Sequence, residues 1–119
     1  MDLSVEYRFS AAHSVKIKGE PEPLHGHDFR IRITLSGKPD EDGFIIDFLE
    51  LEKIVQKLVI DELDHKNLNE IFEQPTVENI GLWIFKRLKE PLKGKNYYLR
   101  EVRVYETKES WITVRGEDL

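Results

Sequence analysis

The chain has 119 residues, enough for one domain and little more. Its 23 acidic residues outnumber the 18 basic ones, and the net charge of −5 argues against nucleic acid as a main partner, because phosphate binding needs a concentrated basic face. There is no cysteine, which excludes disulfides, thiolate metal sites and a thiol nucleophile.

No repeat or low-complexity tract divides the sequence, so residues 1–119 read as a single domain. Leu3, Val5, Tyr7, Phe9 and Ala11 alternate with Ser4, Glu6, Arg8 and Ser10, the period of a half-buried strand. His13 follows just past it. Residues 16–24, rich in Lys, Glu, Gly and Pro, read as a loop. A second alternating run from His27 to Ser36 sets Phe29, Ile31, Ile33 and Leu35 against Asp28, Arg30, Arg32 and Thr34. The turn Pro39-Asp40-Glu41-Asp42-Gly43 closes it.

Asp47 is the expected N-cap of a helix reaching about Leu63, with Phe48, Leu51, Ile54, Val55 and Leu58 at helical spacing. Thr76, after Pro75, is the expected cap of a second helix carrying Val77, Ile80, Ile84 and Leu88, ended by Pro91 and Gly94. Tyr98–Glu106 and Trp111–Arg115 read as a closing pair of strands. The order β-β-α-α-β-β predicts an α+β domain, an antiparallel sheet with two helices on one face. The N-terminal residues lack the basic and long apolar regions of a secretory signal, and no apolar run approaches a membrane span. No membrane partner and a cytoplasmic location are therefore expected.

Three of the four histidines, His13, His25 and His27, flank the loop between the first two strands. Residues two apart on a strand project to one face, so His25 and His27 can converge on one ion, and Gly26 between them adds no bulk. Strand parity sets both on the face of Phe29, and His13 on the face of Phe9, at the rim of the core. Three imidazoles with a fourth position free form the ligand set of a catalytic zinc. Spacing alone also fits ordinary polar residues at strand ends.

Several segments carry a resemblance in chain order. Phe9-Ser10-Ala11-Ala12-His13 and Leu24-His25-Gly26-His27-Asp28-Phe29 resemble the zinc signature of the 6-pyruvoyl-tetrahydropterin synthase and 6-carboxy-tetrahydropterin synthase family. Gly43–Phe48, Leu63-Asp64-His65-Lys66-Asn67-Leu68-Asn69, Pro75–Asn79 and Val104-Tyr105-Glu106-Thr107 resemble further segments of that family. The resemblance implies a tunnelling fold, with subunits stacked as a dimer of trimers into a homohexamer and active sites between subunits. It implies Zn2+ on His13, His25 and His27, a small-molecule dihydropterin substrate, Glu106 as pterin anchor and Thr76 in the pterin pocket. Asp64 and His65 correspond to the family's acid/base pair. Adjacent residues bond each other only at a helix end or turn, so that pairing predicts one there. Thr76 is equally explained by helix capping, whereas parity puts Glu106 on the face of Val102 and Val104, where a carboxylate needs donors.

One position departs from the family pattern. Members that make pyruvoyl- or carboxy-tetrahydropterin carry a catalytic cysteine four positions before the first histidine of H-G-H; here that residue is Pro21. Glu22-Pro23-Leu24-His25 matches instead a subgroup with glutamate in an E-x-L-H-G-H arrangement, associated with cleavage of the side chain to 6-hydroxymethyl-7,8-dihydropterin, a folate precursor. Glu22 is then the expected general base, with Glu20 the alternative. Three functions follow: a zinc-dependent lyase cleaving 7,8-dihydroneopterin or its triphosphate, a 6-pyruvoyl- or 6-carboxy-tetrahydropterin synthase using glutamate as base, and a pterin- or metal-binding module without turnover.

Overall fold

A computed structural model describes residues 1–119. Alternation at the N-terminus builds a long strand, β1 (Asp2–His13), whose apolar face reaches full burial at Phe9, Ala11 and His13. Residues expected only as a loop contain a small hairpin, β2 (Lys16–Ile17) and β3 (Glu20–Pro21). It turns through Lys18 and Gly19, both at positive φ (52° and 84°), which glycine adopts without cost. The chain returns as β4 (His25–Gly37), antiparallel to β1 along its whole length from Asp2 opposite Ser36 to His13 opposite His25. Both strands exceed their predicted ends, because ladder pairing continues past the last apolar residue. His13 is consequently the final residue of β1 and does not lie beyond it.

The Asp47 carboxylate accepts the Leu49 N–H at 3.3 Å and opens α1 (Phe48–Val55). A wider π turn, Gln56–Ile60, joins α1 to α2 (Asp61–Leu63), so that the three pieces run as one rod. After α2 comes β5 (Lys66–Asn67), which adds to β1 beside Ala11 and Ala12 and runs parallel to it. The sheet predicted as wholly antiparallel thus gains a parallel edge, in a segment too short to show any alternation.

The Thr76 hydroxyl accepts the Asn79 N–H at 3.1 Å and starts α3 (Val77–Leu88). The helix ends at Leu88, just before Pro91, the predicted breaker, which has no N–H to continue the ladder; a last helical turn still carries the chain on, with the Leu92 N–H donating to the Leu88 carbonyl at 2.9 Å. The strands β6 (Tyr97–Tyr105) and β7 (Trp111–Arg115) complete the sheet in the order β5-β1-β4-β6-β7. Both rods cover one face of it. Leu51, Val55 and Leu63 from the first rod and Ile80, Ile84 and Leu88 from α3 meet Phe29, Ile31 and Ile33 in a core without solvent access. Each such side chain contributes roughly 1.5–3 kcal/mol of burial free energy.

The opposite face of the sheet has no helix over it and is largely polar. Glu6 on β1 reaches Arg32 at 3.0 Å and Arg30 at 3.7 Å on β4, and the Arg30 guanidinium lies 4.0 Å from the Tyr105 ring centre. No helix is long and apolar enough to cross a membrane.

Candidate metal centre and active site

Strand register assembles the histidine cluster. His13 and His25 are opposite one another at the open end of the β1–β4 ladder, and His27 projects to the same face two residues on. The rings meet edge to face with centroids 4.7 to 5.2 Å apart, and Phe29 forms an apolar floor beneath His13 and His27. His13 is 1% exposed, at the rim of the core where parity put it.

Hydrogen bonds fix which ring atoms are free. His13 Nδ1 lies 2.8 Å from the carbonyl oxygen of Pro75, and His25 Nδ1 lies 2.9 Å from that of Pro23. A carbonyl only accepts, so each Nδ1 carries the proton and each Nε2 presents a lone pair. Backbone carbonyls holding the far nitrogen are the usual outer support of metal-binding histidines. Sequence reading did not find Pro75 or Pro23 in this role, because a main-chain oxygen leaves no trace in residue type.

The Nε2 atoms of His13 and His27 are buried without a hydrogen-bond partner. For His27 a carboxylate oxygen of Glu106 is only 3.0 Å away, yet it lies off the line of a hydrogen bond. Burial lowers the His27 pKa, the Glu106 charge partly opposes that shift, and His13 and His25 add to it. A ring held neutral is the form that ligates metal. One donor atom each from His13, His25, His27 and Glu106 lies within 4.8 Å of the others. Two buried, unpartnered nitrogens, converging with a third imidazole and a carboxylate oxygen, fit a divalent metal such as zinc.

Glu106 follows β6 directly and shares the face of Val102 and Val104, as parity predicts. The structure brings its carboxylate against the metal cluster, 3.7 Å from His13 Nε2, a proximity that sequence reading did not anticipate. Glu22 also belongs to this neighbourhood. Its carboxylate accepts the Val15 N–H at 3.2 Å and lies 3.8 Å from His25 Nδ1, while its own N–H donates to the Val15 carbonyl at 3.0 Å. Glu20 is exposed on β3 and makes no ion pair with the cluster. Thr76 uses its hydroxyl as the helix cap and adjoins Pro75, the residue that holds His13.

Asp64 and His65 form the expected helix-end pair, with His65 Nδ1 3.0 Å from an Asp64 carboxylate oxygen. Asp64 is the extended residue that ends α2, and His65 takes φ 60°. Ser10 fastens this turn to β1: its N–H donates to Asp64 at 2.9 Å and its carbonyl accepts the His65 N–H at 2.6 Å. The Ser10 N–H bond, with the adjacent imidazole, holds the Asp64 carboxyl below the ordinary carboxylate range. The His65 ring is 81% exposed and opens onto a cavity lined by Ser10, Ala12, Gly26 and Asp28, and also by His27 of the histidine cluster. The first four alternate with the core-facing Ala11, His13, His27 and Phe29, so that part of the cavity lies on the uncovered face of the sheet. Neither Asp64 nor His65 makes a hydrogen bond or ion pair with the three clustered histidines or Glu106.

The fold and site define an α+β sheet protein with a histidine-rich candidate metal centre at one end of its central strand pair. The model of the 6-pyruvoyl tetrahydropterin synthase family matches residues 2–117, and the chain belongs to that family. Membership puts it among the pterin-acting lyases. A dihydroneopterin monophosphate aldolase of Pyrococcus furiosus is 47% identical over 96 residues, covering 79% of this chain and 82% of that protein. The 6-pyruvoyl tetrahydropterin synthase structure of Caenorhabditis elegans superposes with TM-score 0.83 at 26% identity, over 98% of this chain and 95% of the other. The Plasmodium vivax enzyme of the same name, studied with alanine and with cysteine in place of a catalytic residue that is glutamate, superposes with TM-score 0.79 at 26% identity over 96% of each chain.

Proposed function

We propose that the protein is a zinc-dependent lyase of the aldolase type, cleaving the side chain of 7,8-dihydroneopterin or a phosphate ester of it to give 6-hydroxymethyl-7,8-dihydropterin. The single observation that carries this reading is the Glu22 carboxylate, held by the Val15 N–H at the edge of the histidine cluster, 3.8 Å from His25 Nδ1. The aldolase name of the P. furiosus protein supports side-chain cleavage, and its monophosphate makes that ester the first substrate to test.

His13, His25 and His27 are the residues to hold the ion, which supplies a positive charge that lowers the cost of negative charge on side-chain oxygens. Glu22 removes the proton from the hydroxyl on the second side-chain carbon. The bond between the first and second carbons then breaks, an aldehyde leaves, and the electron pair passes into the conjugated ring imine. A proton returned to the first carbon completes the product, and His65, oriented by Asp64, suits that delivery near neutral pH. Glu106 anchors the pterin by accepting two parallel hydrogen bonds from its amino-pyrimidine edge, and Thr76 borders the same pocket.

His65 is 81% exposed and pairs only with Asp64, not with the histidine cluster of its own chain, which supports a site completed by a neighbouring subunit. A homohexamer built as a dimer of trimers is our reading of the assembly, and the cytoplasm is the compartment in which we expect it.

The test incubates zinc-loaded protein with dihydroneopterin, its monophosphate and its triphosphate, with products identified by mass. The hydroxymethyl pterin plus the corresponding aldehyde is expected; a pyruvoyl or carboxy product overturns the assignment. The second reading, a 6-pyruvoyl tetrahydropterin synthase with glutamate as base, is favoured by the catalytic glutamate of the P. vivax enzyme, and the same assay separates the two.

A further inference from the structure

The position of Glu106 suggests a role beyond the pterin anchor. Its oxygen lies 3.0 Å from His27 Nε2 and 3.7 Å from His13 Nε2, and all four donors of the cluster fall within 4.8 Å. For ligand bonds of the usual zinc length, neighbouring donors of a tetrahedral set are about 3.3–3.4 Å apart. The two Glu106 separations straddle that edge length. The carboxylate is also off-line for a hydrogen bond to His27, whose buried Nε2 has no hydrogen-bond partner. A cation held among these four donors is attracted by the carboxylate charge, the more strongly because the site is partly buried.

We propose that Glu106 is a fourth metal ligand when no pterin is bound, and that substrate binding transfers this carboxylate from the metal to the pterin ring. The proposal rests on the zinc and pterin reading above. The anionic fourth ligand saturates the site and lowers its effective charge, so that the resting protein holds no open position for adventitious chemistry. A pterin offering its N–H donors to Glu106 frees that position for its own side-chain hydroxyl. One carboxylate thereby couples ring recognition to exposure of the metal.

Exchange of a shared ligand has a thermodynamic signature. A pterin without side-chain hydroxyls takes Glu106 from the metal and gives nothing back, so it must weaken metal binding, and the metal must weaken its binding by the same factor. Dihydroneopterin, whose hydroxyls replace the lost ligand, must not.

The experiment measures zinc affinity by competition with a chromophoric chelator, with and without saturating 6-methylpterin. It uses wild-type protein and Glu106→Gln, an isosteric change whose folding is checked by circular dichroism. Zinc binding weaker by about 10- to 100-fold in Glu106→Gln is expected, with 6-methylpterin weakening zinc binding of wild type only. The absorption spectrum of the Co2+-substituted protein gives an independent readout: its visible bands should shift on adding 6-methylpterin to wild type and stay unchanged in the variant. Equal zinc affinity of the two proteins overturns the proposal, as does wild-type zinc affinity indifferent to 6-methylpterin. Failure of wild type to bind zinc at all overturns the metal reading itself, which keeps the two failures distinct.

Discussion

Glu22 and the Asp64–His65 pair divide the proposed proton traffic between two places, and each is separable by substitution. Glu22→Gln preserves length and the capacity to accept the Val15 N–H, so the loop should stay folded and zinc should stay bound. Removing a general base typically costs about 10²–10⁴-fold in turnover; a loss of that size with unchanged metal content is the expected outcome, and full activity would remove Glu22 from the mechanism. His65 presents a different case because it adopts φ 60°, a conformation open to glycine and tolerated by asparagine. His65→Gly should therefore fold at least as stably as wild type by chemical denaturation while losing turnover. Asp64 makes a pH prediction with a definite sign. Its folded pKa is lowered, first by the Ser10 N–H, so its contribution to stability is full above the unfolded carboxylate pKa and is lost as pH falls through the folded value. The denaturation midpoint of wild type should exceed that of Asp64→Asn near neutral pH, and the gap should close on acidification. A constant gap would show that charge plays no part in holding this turn.

At the level of elements, alternation and helical spacing were enough to read four strands and two helical rods, because each buries one continuous apolar face. Parity along β1, β4 and β6 even selected the face of His13, His25, His27 and Glu106. What escaped was whatever depends on partners remote in sequence. β5 joins the sheet through Ala11 and Ala12 with only two residues, and the β2–β3 hairpin is too short for a period. Likewise, no residue pattern places His65 beside β1, since that follows from where Ser10 ties down the end of α2. The family resemblance supplied roles for these residues but not the contacts that hold them. Close helix–sheet contact was equally hidden. A Cβ added at Gly81 of α3 would come within 2.7 Å of the Ile112 and 2.9 Å of the Val114 side chains on β7. Alanine gains up to about 1 kcal/mol of helix propensity over glycine. Overpacking a tight contact against a stiff β-branched side chain costs about 1–3 kcal/mol. Gly81→Ala should therefore lower the melting temperature, and a rise would mean that α3 can shift away from the sheet.

Across the whole molecule, the histidine cluster and the Asp64–His65 pair are held by different contacts and share no hydrogen bond or ion pair. If sites form between subunits, inactive variants should rescue one another: oligomers reassembled from Glu22→Gln and His65→Gly chains would contain some sites with both groups intact. Recovery of a fraction of wild-type turnover on mixing, absent from either variant alone, is the expected result. No recovery in demonstrably mixed oligomers would mean that each chain works by itself. The uncovered face, with Glu6 between Arg30 and Arg32 and the Tyr105 ring under Arg30, is polar enough to persist beside water yet ordered enough to present fixed partners to another subunit.

The hydrogen bond from His13 to Pro75 has a mechanical consequence. Pro75 immediately precedes the residue that caps α3, so the ring that would ligate the metal also anchors the entrance of a core helix. Tension or slack at the ion is thus transmitted to the helix through a single imidazole. Stripping the ion should loosen amide protection first around residues 72–79 and leave the centre of the β1–β4 ladder protected, a pattern that hydrogen–deuterium exchange would resolve. On the proposed reading, loading the metal and seating the second helix are two views of one equilibrium.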